Sequence, residues 1–201
     1  MMGRTQREKR GRFEPGQDLV IAGYAGLAGS AEIAASRRQE LGQRFSGAYV
    51  RQMIQEGEMG NVPSGAWFAA HGASEWEEAG EGGVFAVLWE LSGAYRTGFL
   101  VDLYQIPVRQ TTIEVCEQYG LNPYRLYSRG CVIAAADNGG RLKDALAELG
   151  VPAAVIGRVE HGPARRVRFG ETVSFMERPS GPDDDRRTGG GYYERKDSGG
   201  N

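Results

Sequence analysis

Apolar positions along this chain switch between two spacings, and the switches mark its elements. "DLVIAGY" (18–24) is a continuous apolar run bounded by Pro15-Gly16 and Gly26, which predicts a buried strand. "GSAEIAASRRQELGQRF" puts Ile33, Leu41 and Phe45 on one side of a helix, with Ser30 as its expected N-cap. "AYVRQMIQEGE" reads as a second helical piece, and "VPSGAWFAAHG" as a short helix with Pro63 in its first turn and Gly72 at its end. "GGVFAVLWELSGAY" has the firmest helical pattern, with Val84, Val87, Leu88 and Leu91 at helical spacing. The acidic stretch before it, with Gly72 and Gly80 on either side, reads as a loop.

The second half alternates regularly. "FLVDLYQI" reads as a strand, "QTTIEVCEQYG" as a helix ending at Gly120, "GCVIAAAD" as a strand, "GRLKDALAELG" as a helix ending at Gly150 and "AAVIGRV" as a strand. This order over residues 99–159 predicts a sheet with helices on at least one face. "RRVRFGETVSF" predicts a closing hairpin around Phe169-Gly170-Glu171.

The ends differ in kind. Residues 1–13 form a basic arm carrying Arg4, Arg7, Lys9, Arg10 and Arg12, read as a solvated tail or as a contact for RNA or a protein partner. Residues 179–201 hold no aliphatic side chain and are rich in Gly, Asp and Arg, so they are expected to be disordered. Between them, residues 14–178 form one expected domain. A net charge of −2 gives the chain as a whole no strong pull towards nucleic acid. No apolar run approaches the roughly 18–20 residues that span a bilayer. Cys116 and Cys131 have neither zinc-site nor disulfide-framework spacing and read as buried thiols of a cytoplasmic protein.

Two glycine loops carry the candidate chemistry. "GYAGLAGSA" (23–31) runs from strand to helix, where glycines let backbone approach a ligand and helix N–H groups point at it. Its glycines at 23, 26 and 29 do not match a dinucleotide fingerprint, and a tight structural turn accounts for them equally. "EWEEAGEGGVFAVLWEL" (75–91) opens a helix on Gly82-Gly83 behind Glu75, Glu77, Glu78 and Glu81. Glu81 sits near the expected cap, where a carboxylate is stabilising. Crowded carboxylates are tolerated in solvent or around a cation such as Mg²⁺. His71, near a helix end, reads as a capping or surface residue, and Trp67, Phe68, Trp76, Trp89 and Tyr95 as packing residues.

Taken together, these stretches and above all "IPVRQTTIEVCEQYGLNPYRLYSRG" (106–130) resemble the C-terminal domain of the AIR synthase-related superfamily, most closely its HypE-like bacterial members. The likeness runs over about residues 14–178. It implies an α+β fold, α–β–α layered and partly ferredoxin-like, of the PurM C-terminal type. It also implies a place in an ATP-dependent phosphoryl-transfer enzyme such as those of hydrogenase maturation. Glu81, Gly82 and Gly83 match the family's H-D-[VI]-T-E-G-G motif, whereas Glu77, Glu78 and Gly80 stand where it has His, Asp and Thr. Gly26-Leu27-Ala28-Gly29-Ser30 matches the family's strand-end loop, and Ser128-Arg129-Gly130 a small-residue loop before the next strand.

The resemblance therefore makes Gly26, Gly29, Ser30, Gly82, Gly83, Ser128 and Gly130 candidate ligand or phosphate contacts, and Glu78 and Glu81 candidate metal ligands. The altered motif makes the site more acidic, so phosphate binding through it would need a cation. In the family most ATP and Mg²⁺ contacts come from an N-terminal domain, and only seventeen residues precede Asp18 here. Three functions follow as expectations. One is a non-catalytic or half-catalytic partner of a separate ATP-binding domain. The others are a dimerising remnant without ligand, and a binding module that uses the basic arm. No catalytic residue is assigned. Sheet surface normally covered by the N-terminal domain is expected to favour self-association or a partner.

Overall fold

The computed structural model describes residues 10–179; the expectations for residues 1–9 and 180–201 lie outside it. Its centre is β1 (Asp18–Ala22), an apolar run with a burial pattern in which only Asp18 reaches solvent. A strand that is apolar on both faces needs cover on both, and β1 has it. Leu19 and Ile21 join one core and Val20 and Ala22 another. β1 pairs antiparallel with β4 (Val132–Ala136) on one side and β5 (Ala153–Glu160) on the other.

Outward from β4 lies β2 (Ala73–Glu78); outward from β5 lie β3 (Gly98–Asp102), β6 (Arg165–Phe169) and β7 (Thr172–Phe175). The result is one seven-stranded sheet in the order β2-β4-β1-β5-β3-β6-β7. Its neighbours run antiparallel except β3 and β6, which run parallel. The mixed sheet with helices on its faces is the α+β class expected.

On one face, α5 (Gly83–Tyr95) lays Val84, Val87, Leu88 and Leu91 against Leu19, Ile133, Phe99 and Ile156. On the other, α4 (Gly65–Ala70) and α7 (Gly139–Glu148) bring Phe68, Leu142 and Leu146 onto Val20, Ala134 and Ala136. Burial of this kind contributes about 1.5–3 kcal/mol per large side chain. A third cluster joins α1 (Leu27–Ser36), α2 (Arg38–Leu41), α3 (Gly47–Glu56) and α6 (Gln110–Tyr119) through Ala34, Leu41, Val50, Met53 and Val115.

Four local expectations are corrected. The helix expected through Phe45 breaks at Arg37, where no glycine or proline marks the break. Ser30 is not the N-cap: α1 begins at Leu27 behind Gly26 in the left-handed region, and Ser30 is turned into the core. Pro63 precedes the Ser64 cap of α4 instead of lying in its first turn. The acidic stretch after Gly72 is strand β2, with a bulge between Ala73 and Glu75. The bulge sends Glu75 to the α5 side, where it is buried and accepts from the N–H groups of Arg10 and Gly11 and from the Tyr95 hydroxyl. Next to it Phe13 is buried and Arg12 N–H donates to Ser74 O. Residues 10–13 of the basic arm thus lie against the β2 edge. Both cysteines are buried, and burial pushes the Cys131 thiol pKa well up.

Within the helical cluster, α3 is joined to the head of α6 by a buried carboxylate. Glu56, 6% exposed, takes both Arg109 contacts of a bidentate pair, the Thr111 hydroxyl at 2.5 Å and the Gln52 amide at 2.9 Å. Arg109 sits at the N-terminus of α6, where a cation opposes the helix dipole; Glu56 supplies the offsetting charge. These donors, led by Arg109, lower the Glu56 carboxyl from 4.5 to about 2. A depressed carboxylate stabilises above its unfolded pKa and loses that contribution as pH falls through its folded value. Glu56→Gln should therefore cost about 2 kcal/mol at neutral pH, the size of a charge-assisted hydrogen bond discounted for water at half-exposed Arg109. Urea unfolding across pH should show the gap from wild type closing between pH 4.5 and about 2.

Candidate functional site

Three turns meet at the sheet end where β1 leaves and β4 begins. The first joins β1 to α1, the second joins β2 to α5, and the third, residues 122–131, leads into β4. They approach so closely that side chains are excluded. A Cβ on Gly23 would lie 2.3 Å from Gly130 O, one on Gly26 2.5 Å from Pro123 O, and one on Gly29 2.9 Å from Tyr127 N. A Cβ on Gly83 would lie 2.5 Å from Tyr124 O and 2.6 Å from Leu126 O. Gly130 likewise rests on the backbone of Gly60, a contact that nothing in the local sequence announced.

Most of the amides that the sequence offered to an anion are answered within the protein. Gly26 N–H donates to Ser128 Oγ at 2.8 Å, and Ser128 Oγ donates to Leu126 O at 2.8 Å. Gly29 N–H donates to Tyr127 O at 2.8 Å. At the head of α5, Gly83 N–H donates to Gly80 O at 3.1 Å and Phe85 N–H to Tyr124 O at 3.1 Å. Ser30 Oγ donates to Leu27 O at 3.0 Å and lies 2.9 Å from Thr112 Oγ1. Gly130 N–H donates to Glu78 Oε1 at 3.0 Å, so the carboxylate at the family's Asp position holds a loop.

The structure brings together Gly26, Gly29, Ser30, Gly82, Gly83, Ser128 and Gly130 and buries all seven. Glu78 reaches the cluster through Gly130, whereas Glu81 stands exposed outside it. Among the described residues no group of three or more His, Cys, Asp or Glu side chains is placed to hold a metal ion. The residues present therefore do not fit a Mg²⁺–nucleotide by themselves. Neutral or carboxylate side chains and backbone carbonyls already occupy the donors that a phosphate would use.

Half-buried Tyr24, Phe85, Tyr124 and Arg109 border this knot. Phe85 stacks on Tyr124 with centroids 5.3 Å apart, and the Arg109 guanidinium lies 5.4 Å over the Tyr24 ring. The sequence reading missed Arg109 and Thr112; an isolated cation at a helix start and a Thr pair were the only signals. His71 caps α4, with Nδ1 2.8 Å from Trp67 O and its ring stacked on Trp67 at 3.9 Å. Phe68 is buried, and Trp67, Trp76, Trp89 and Tyr95 pack against the two cores, as expected of packing residues.

Comparison with known proteins agrees with this architecture. Residues 14–170 match the family described as "AIR synthase related protein, C-terminal domain", and the chain belongs to that family. No curated protein matches the chain. Among solved structures, E. coli HypE, a hydrogenase maturation protein, superposes with a TM-score of 0.63 at 21% identity, covering 85% of this chain and 52% of HypE. HypE in complex with ATP gives 0.59 at 20% identity, over 84% and 53%. Thiamine-monophosphate kinase from Stenotrophomonas maltophilia gives 0.55 at 17% identity, over 83% and 54%. At these identities the likeness defines a shared fold, and this chain spans about half the length of each.

Backbone contact at Gly83 is testable against a glycine that shares its conformation but touches nothing. Gly83 and Gly120 have φ of 63° and 64°, and a Cβ at Gly120 would meet nothing within 4 Å. Gly120→Ala should cost about 1–2 kcal/mol of left-handed strain. Gly83→Ala should cost clearly more, because two carbonyls must move, and chemical denaturation of the two variants measures the difference.

Proposed function

We propose that this chain is the half of an AIR synthase-type unit that does not hold the nucleotide. Its loop knot forms one rigid wall of a site, and a separate ATP-binding domain supplies the nucleotide and Mg²⁺ contacts. One observation carries this reading: the glycine-rich turns of the family motif are present and packed, yet most of their amides already donate within the protein, one of them to Glu78. Support comes from a relative solved in complex with ATP that is about twice the length this chain covers. The borders of the knot, Tyr24, Phe85 and Tyr124, offer half-buried aromatic surface suited to a second domain or its substrate.

In this role the chain positions and encloses; it does not transfer phosphate alone. Among the described residues no helix is long and apolar enough to cross a membrane, so this reading needs no bilayer. A remnant that only self-associates is the competing reading, favoured by the exposed apolar residues of the β6–β7 hairpin.

Affinity capture of the tagged chain from its own cell, followed by an ATPase assay on the captured material, tests the proposal. Co-recovery of an ATP-binding polypeptide with turnover that appears only in the mixture is the expected result. ATP turnover by the purified chain alone, lost in Glu78→Ala, would overturn it.

A further inference from the structure

The two edges of the sheet are treated differently. At one edge, β2 carries Glu75, Glu77 and Glu78, and residues 10–13 lie over it, with Arg12 N–H bonded to Ser74 O at 2.9 Å. At the other, β7 has all four residues exposed and no charge: Thr172, Val173, Ser174 and Phe175. Val173 is 46% and Phe175 74% exposed. At the turn of the same hairpin, exposed Phe169 and Tyr104 stack with centroids 4.6 Å apart. Natural sheets blunt their edges with charge, proline or cover; β7 holds neither charge nor proline, and among the described residues nothing covers it.

The pairing of β7 with β6 fixes which backbone groups remain. Met176 N–H donates to Arg165 O, so the groups of Ser174 and Thr172 also turn inward to β6. Those of Val173 and Phe175 point outward, because alternate residues of a strand face opposite sides. Val173 and Phe175 lie opposite Arg168 and Arg166, which puts both side chains on one face.

We propose that β7 pairs antiparallel with β7 of a second copy of this chain, about a two-fold axis at Ser174. In that register Val173 faces the partner subunit's Phe175, and the reciprocal pair forms on the other side of the axis. Both are outward residues, so each pair exchanges two backbone hydrogen bonds. Each also places a β-branched side chain against an aromatic one, a favourable cross-strand combination. The strand is its own electrostatic complement, since no charge between residues 172 and 175 meets another. Glu171 would face the partner's Glu177 only at the solvent-exposed rims, where salt screens them. A head-to-tail chain of sheets is disfavoured because the β2 edge is acidic and covered, so the contact closes as a dimer. This interface uses a part of the molecule remote from the loop knot and does not depend on the nucleotide reading.

Disulfide trapping on the full chain tests the register. Ser174→Cys brings two thiols together at the axis in a non-hydrogen-bonded pair, roughly 4.5 Å apart at Cα. Mild oxidation should convert most of it to a covalent dimer, while Thr172→Cys, two residues off the axis in each copy, should form no covalent dimer on a denaturing gel. The native cysteines are buried and add no background. Sedimentation of the unmodified chain should show a concentration-dependent dimer. Phe175→Lys should abolish it, and so should Val173→Pro, which removes only an outward N–H, each with the melting temperature of the monomer kept. A wild-type monomer at high concentration, equal trapping at both cysteine positions, or a dimer that survives folded Phe175→Lys would overturn the proposal.

Discussion

Backbone laid directly on backbone, with no side chain between, is the constraint on which the rest of this structure depends. Gly23 on Gly130, Gly26 on Pro123, Gly29 on Tyr127 and Gly83 on Tyr124 and Leu126 set how far three turns can close. Closure brings the heads of α1 and α5 onto the loop before β4, and so fixes how α5 lies on the sheet and where α1 meets its helical cluster. Several of these glycines also hold positive φ, so conformation and space both require the residue. The charge pair of Glu56 and Arg109 joins α3 to the head of α6.

Much of the fold was legible because period and punctuation agreed. Val84, Val87, Leu88 and Leu91 marked α5, the all-apolar "LVIA" marked β1 as a buried strand, and Gly120 and Gly150 ended their helices. β2 was not legible because its stability lies in its partner: a polar "SEWEE" becomes a strand only when β4 offers a ladder. A bulge then breaks the alternation that would have revealed it. Residues 10–13 were read as part of a solvated arm since one apolar residue, Phe13, stood among charges, and its burial depends on α5 and β2 far along the chain.

The candidate site shows a different limit. The sequence marked these glycines as places where backbone could approach a ligand, and in the structure several of them lie against protein backbone. What approaches them is not encoded nearby. Ser128 Oγ, Tyr127 O and Tyr124 O come from a loop about a hundred residues after the first turn, and they accept from amides of the two glycine turns. Glu78 keeps the family's carboxylate and uses it on Gly130. Membership of the AIR synthase-related C-terminal family is shown over residues 14–170, and the hydrogen bonds made by these turns within the protein are what the proposal of a second domain rests on.

Amide hydrogen exchange on the full chain tests that account most directly. The N–H groups of Gly26, Gly29, Gly83, Phe85 and Gly130 should exchange near the slow limit set by global unfolding, and MgATP should leave them unchanged. Fast exchange at these amides, slowed on adding MgATP, would mean that the turns are an open phosphate cradle and would contradict it.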